Sequence, residues 1–142
     1  MSQPLVVPLP LPLPPDAAQA SLGGKAEKLS WMLEHGLQVP PAWVVLASAC
    51  ASALDSTELR PLLDRANAGD ASARALLEQG LRDRPLAPEV ASLLADALAA
   101  LGPGPLAVRS SGLGEDGQTS SMAGQHDTLL GIVGVEALDR AI

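Results

Sequence analysis

A chain with almost no large aromatic rings has few ways to build a core. Among 142 residues there is no Phe and no Tyr, and Trp31 and Trp43 are the only aromatic side chains. Hydrophobic residues still make up 47 %, chiefly Ala, Leu and Val. Such a core must close by interdigitation of short aliphatic side chains, which suits helices packed on a small sheet. The length corresponds to one domain on the usual scale of ~100–200 residues. The expected fold class is therefore α/β or α+β.

Charge narrows the partners. The formal net charge is −7, and an acidic surface repels a phosphate backbone, which argues against nucleic acid. Any anionic ligand must then be held by a few placed cations, and the lysines are Lys25 and Lys28. No basic amphipathic stretch points to a membrane surface. The apolar run from Trp43 to Leu54 is too short and too Ser-rich to span a bilayer. Met1 is not followed by the basic opening of a signal peptide, so the expected location is the cytoplasm. Cys50, the only cysteine, sits in an Ala/Ser run and is expected to be a small buried hydrophobe of a helix.

Residues 1–19 form a Pro-rich lead-in containing VVPLPLPLPPD, which no helix or central strand tolerates, because proline lacks the N–H and fixes φ. Polyproline II or an edge strand is expected there. From Gly23-Gly24 a helical stripe runs through Ala26, Leu29, Met32 and Leu33. His35 falls in the last turn, Gly36 is placed as its left-handed stop, and Leu37 can fold back on that end. Val39-Pro40-Pro41 then leads into WVVLA, a short buried strand. Residues 46–101 read as helical, with starts at Ser56-Thr57-Glu58, at Asp70-Ala71-Ser72 and at Pro88. Nothing in that span suggests chemistry. After Gly102-Pro103-Gly104-Pro105 come LAVRSS as a buried strand, a Gly-rich loop, HDTLLGIV as a third strand, and a helix from Val135 with Glu136 in its first turn. That helix has no cap before Ile142, so a domain incomplete at its C-terminus is expected, together with marginal stability for the chain alone.

Three constellations bear on function. Gly23-Gly24-Lys25-Ala26 opens a helix, where unpaired N–H groups and the dipole favour an anion, glycine permits close approach, and Lys25 adds a point charge. It lacks the Gly-x-x-x-x-Gly-Lys-Ser/Thr pattern, and taken alone a Gly-rich turn with a surface lysine is the better explanation. Arg109 ends an apolar strand before Ser110 and Ser111 and requires a partner, either a phosphate or the carboxylates of Glu115 and Asp116. The run GLGEDGQTSSMAG offers many N–H groups that could close over phosphates, or simply forms a surface loop. His35 and His126 show neither metal-ligand spacing nor a nucleophile–base order.

Taken together, SLGGKAEKLSWMLEHGLQVPPAWVVLASA and LAVRSSGLGEDGQTSSMAGQHDTLLGIVG resemble the opening of the nucleotide-binding domain shared by phosphoenolpyruvate synthase, pyruvate phosphate dikinase and rifampicin phosphotransferase. The resemblance covers roughly residues 20–50 and 104–142, with the intervening helices as a spacer of fitting length. It implies the first part of an ATP-grasp-type domain over residues 20–142. It also implies that Lys25 and Arg109 contact the ATP phosphates and that Gly124 and Thr128 line the nucleotide site. Ser110, Ser111, Glu115, Asp116 and Gln125 match the motif with less weight. In the family, ATP phosphorylates a mobile histidine with release of AMP and phosphate in the synthase type, and the group then passes to pyruvate or another acceptor.

The adenine contacts, the Mg²⁺ carboxylates, the phosphohistidine and the acceptor site are then expected outside this chain. Neither His35 nor His126 matches the phosphohistidine, and no catalytic or metal-binding residue is expected here. Met122 stands where the family usually has Phe, and the lead-in is richer in proline than usual. The expected partners are a nucleotide and the remaining domains of the enzyme. The expected function is the ATP-binding segment of a phosphoenolpyruvate synthase-like dikinase acting on pyruvate. A rifampicin-type antibiotic phosphotransferase, a pyruvate phosphate dikinase, a stand-alone nucleotide-binding module and an inactive remnant stand as alternatives.

Overall fold

A computed structural model of the chain describes residues 5–11, 22–111 and 128–142. Its elements run in the order β1 (Val6–Pro8), α1 (Gly24–Glu34), β2 (Trp43–Val45), α2 (Ser48–Leu54), α3 (Arg60–Asn67), α4 (Ala71–Arg82), α5 (Pro88–Leu101), β3 (Leu106–Arg109), β4 (Thr128–Ile132) and α6 (Val135–Ala141). The class is α+β. The strands form two separate antiparallel pairs, β1–β2 and β3–β4, instead of the single small sheet expected. The physical reason is the intervening helices: α2 to α5 separate the two pairs in the chain, and α5 packs against both.

The lead-in takes the strand option. Val6, Val7 and Pro8 pair with Val45, Val44 and Trp43. Proline fits at the end of such a two-stranded edge, where no further strand asks for its missing N–H. Side-chain alternation then gives the pair two buried faces. Val6, Trp43 and Val45 belong to one cluster with Val90, Leu94 and Ala97 of α5. Val7 and Val44 belong to a second with Leu9, Leu11, Leu22, Leu46 and Ala26 of α1. Beta-branched residues suit this doubly covered position.

Helix α1 follows the glycine-to-glycine limits read from the sequence, and Ala26, Leu29 and Leu33 of its stripe pack inward, whereas Met32 does not. Ala26 and Ser30 are buried, whereas Met32 is 36 % exposed and Trp31 53 %. The inward face is therefore Ala26, Leu29, Ser30 and Leu33, with Ser30 buried where Met32 was expected. Ser30 is there because a backbone donor needs it: its Oγ accepts from Leu11 N–H at 3.4 Å. A buried peptide N–H beside proline-rich chain has few other acceptors. The helix ends as expected. Gly36, at φ 71°, sits in the left-handed region. Its N–H donates to Leu33 O and that of Leu37 to Met32 O, both as in a Schellman motif. His35 stacks on Trp31 with ring centroids 4.0 Å apart. Its Nδ1 lies 2.8 Å from Trp31 O and, facing a carbonyl, carries the hydrogen.

Three further expectations change. Cys50 lies in α2 but is exposed, because that short helix turns this position away from the cluster its neighbour Ala49 joins. Ser56-Thr57-Glu58 is a turn, with the helix beginning at Arg60; Ser56 Oγ accepts from Leu59 N–H at 3.3 Å and caps the turn. Strand β3 is half-buried, with Leu106 and Val108 turned towards α5 and Ala107 and Arg109 exposed. Asp70 caps α4 as read from the sequence: one carboxylate oxygen accepts from Ala73 N–H at 3.0 Å, and the other meets Arg65 at 2.6 Å. Helices α3 and α4 close a satellite cluster of Leu59, Ala66 and Leu77. Among the described residues no helix is long and apolar enough to cross a membrane.

Truncating Leu94, 5 % exposed at the centre of α5, is expected to cost about 2–4 kcal/mol. Urea unfolding should show a lower midpoint at unchanged slope for Leu94→Ala. The Ala73 N–H first, and Arg65 second, hold the Asp70 carboxyl below its ordinary 3.8. Its contribution is therefore complete above that value and is lost as acid carries the pH down through the lowered one. Carboxyl NMR titration should place Asp70 below 3.8, and Arg65→Met should move the midpoint part of the way back.

Candidate functional site

The two cations singled out in the sequence are brought to one place by a joint between the start of α1 and the end of β3. Gly23 is the residue before the helix and provides no side-chain cap. The helix leaves its first N–H groups without intrahelical partners. One of them, on Ala26, is satisfied from across the chain: it donates to Ser111 Oγ at 3.1 Å, a contact spanning 85 residues. Beside it, Lys25 Nζ donates to Ser110 O at 3.1 Å. Two hydrogen bonds in parallel thus tie the helix start to the two residues that follow β3.

Gly23 makes this approach possible. Its φ of −74° is one any residue adopts, so its conformation does not require glycine. A Cβ built on Gly23, however, would overlap the carbonyl carbon, carbonyl oxygen and Oγ of Ser111. The glycine read from sequence as room for a phosphate is occupied, on this side, by the protein's own backbone. The missing cap at Gly23 was the available signal: a helix starting without Ser, Thr, Asp or Asn must find an acceptor elsewhere. The sequence alone does not say that the acceptor is Ser111.

Arg109 ends β3 directly opposite Thr128, the first residue of β4. Both are exposed. Lys25, Arg109, Ser110, Ser111 and Thr128 are therefore gathered at one end of the β3–β4 pair, with the dipole of α1 directed at the same end. Gly124 and Gln125, and with them Glu115, Asp116 and His126, lie outside the described residues. The suggested ion pair of Arg109 with Glu115 or Asp116 falls there too. His35, at the far end of α1, is not part of the group. Among the described residues no three His, Cys, Asp or Glu side chains are grouped to hold a metal ion, so no Mg²⁺ ligand is assigned. What the arrangement brings together is two cationic side chains, Lys25 and Arg109, and the N-terminus of α1 at one edge of an acidic protein.

Comparison with known families puts this α+β domain in the nucleotide-binding class. More particularly, the chain belongs to the pyruvate phosphate dikinase AMP/ATP-binding domain family, whose model matches residues 19–142. It is 39 % identical over 136 residues to a rifampicin phosphotransferase of a Streptomyces species, covering 89 % of this chain and 16 % of that protein. It is 36 % identical over 126 residues to the prodigiosin synthesizing transferase PigC of Serratia marcescens, covering 85 % of this chain and 13 % of the relative. It is 34 % identical over 131 residues to the phosphoenolpyruvate synthase of Escherichia coli, covering 84 % of this chain and 16 % of the relative. The chain thus spans only about an eighth to a sixth of the length of these relatives.

Gly23→Ala is expected to push Ser111 away and to destabilise the domain by about 1–3 kcal/mol, the usual range for overpacking. Differential scanning fluorimetry should show a lower Tm for it, although alanine is the better residue at this φ.

Proposed function

We propose that this domain forms the phosphate side of the ATP site in a phosphoenolpyruvate synthase-like dikinase of ATP-grasp type. In this reading Lys25 and Arg109 bind phosphate oxygens, and Thr128 and Gly124 line the site. Ser110, Ser111 and Gln125 flank them. The observation that carries the reading is the joint itself: Lys25 reaches the residue after Arg109, so both cations belong to one edge of the fold. The residues fit the ligand, since a polyphosphate in a chain of net charge −7 needs its counter-charges concentrated.

Bound Mg-ATP supplies an activated phosphoryl group for transfer to a histidine on another domain. Within this chain, the work is to hold the phosphates in line and to neutralise charge as it develops. The Mg²⁺ carboxylates, the adenine contacts, the phosphohistidine and the acceptor site belong in this reading to further domains, and the protein acts in the cytoplasm on pyruvate. The 39 % identity to a rifampicin phosphotransferase supports a second reading, with the antibiotic as acceptor and the same ATP site.

Calorimetry of Mg-ATP with the full-length protein tests the site. Removing a charged hydrogen-bond partner costs about 1.5–3 kcal/mol, so Lys25→Ala and Arg109→Ala should each raise Kd roughly ten- to a hundredfold. Unchanged Kd in both variants overturns the assignment. Release of AMP from ATP in the presence of pyruvate, or of rifampicin, then decides between the two acceptors.

A further inference from the structure

The way α1 is capped carries one more step, which rests on the ATP-site reading just given. Ser111 stands next to the cations, and its motif suggests a nucleotide contact. Its hydroxyl oxygen has a second use, shown directly: it accepts from Ala26 N–H at 3.1 Å. That donor belongs to the residue immediately after Lys25. The serine itself lies two residues beyond Arg109. A single hydrogen bond therefore spans the two positions whose separation determines whether one polyphosphate can touch both cations.

Two independent features show that the contact is built into the fold. Gly23 leaves the helix without a cap of its own, and any side chain at Gly23 would occupy the space of Ser111. The self-capped alternative, with Ser or Asp before the helix, is thus sterically incompatible with the docked strand end. Lys25 Nζ reinforces the joint by donating to Ser110 O at 3.1 Å. That bond uses the same ammonium expected to meet phosphate. It is therefore poorly suited to fix the spacing once a ligand draws on Lys25. The hydroxyl of Ser111 makes its bond to the backbone, away from that competition.

We propose that Ser111 is a positioning residue of the ATP site: it caps α1 in trans, and so sets the distance and orientation of Lys25 relative to Arg109. Loss of the cap lets the helix start and the strand end separate. The phosphates then meet the two cations one at a time, and affinity for the polyphosphate falls.

The test is a double-mutant cycle on the full-length protein, with Kd read by calorimetry for Mg-ATP and for adenosine. Ser111→Ala should raise the Kd of Mg-ATP roughly three- to thirtyfold, the range that loss of a helix cap supports, and leave that of adenosine unchanged. Ser111→Thr, which keeps the acceptor, should restore most of the affinity. In the Lys25→Ala background the same Ser111→Ala change should have less than about a twofold effect, because nothing remains for it to position. Full additivity with Lys25→Ala would make Ser111 a direct ligand and overturn the proposal. An equal loss for adenosine would mean general damage to the fold and overturn it too. Lack of any effect of Ser111→Ala beside a large effect of Lys25→Ala would refute the positioning role alone; lack of effect of Lys25→Ala and Arg109→Ala together would refute the ATP-site reading beneath it.

Discussion

Helix α5 is the support on which the described fold leans. Val90, Leu94 and Ala97 present one continuous apolar stripe, and against it lie the inner faces of both strand pairs and Leu138 of α6. A two-stranded pair is marginal by itself in water. Each pair here gains its independence from burial on a shared helix. Because both pairs register on the same stripe, their relative placement follows from it, and with it the place where the end of β3 meets the start of α1. Small side chains serve this well: Ala97, 2 % exposed, allows the close approach that an aromatic core would forbid.

The joint between α1 and β3 converts that packing into electrostatics. A chain of net charge −7 has no general attraction for anions. In the proposed site the attraction is local: Lys25 on the first turn of α1, held to Ser110, and Arg109 at the end of β3. Helix dipole and cations act in the same sense only if the helix start is docked there. Docking in turn depends on a glycine that admits the backbone of Ser111 and on a serine that satisfies the helix. The glycine-rich start therefore has a structural use beside the functional one proposed for it.

Much of the secondary structure was legible because it is written in local chemistry. Gly36 ends α1 since only a left-handed residue completes that hydrogen-bond pattern, and Asp70 and Pro88 mark helix starts for reasons confined to one turn. The differences share a cause. Hydrophobicity alone puts Met32 and Cys50 inside, yet the buried face of α1 contains Ser30, which an approaching segment at Leu11 recruits. The strands form two pairs, both packed against α5, and periodicity carries no record of which strands pair.

For the site, the residue types and their order along the chain were determined by the sequence, and so was membership of the pyruvate phosphate dikinase nucleotide-binding family. Lys25 and Arg109 could be named from the motifs that hold them. That they share an edge, that Gly23 is needed for backbone clearance, and that Ser111 completes a helix 85 residues away in sequence were decided only by the tertiary structure. The reason is physical: a helix start announces through its missing cap that it requires an acceptor, but which acceptor arrives is settled by the packing of everything between them.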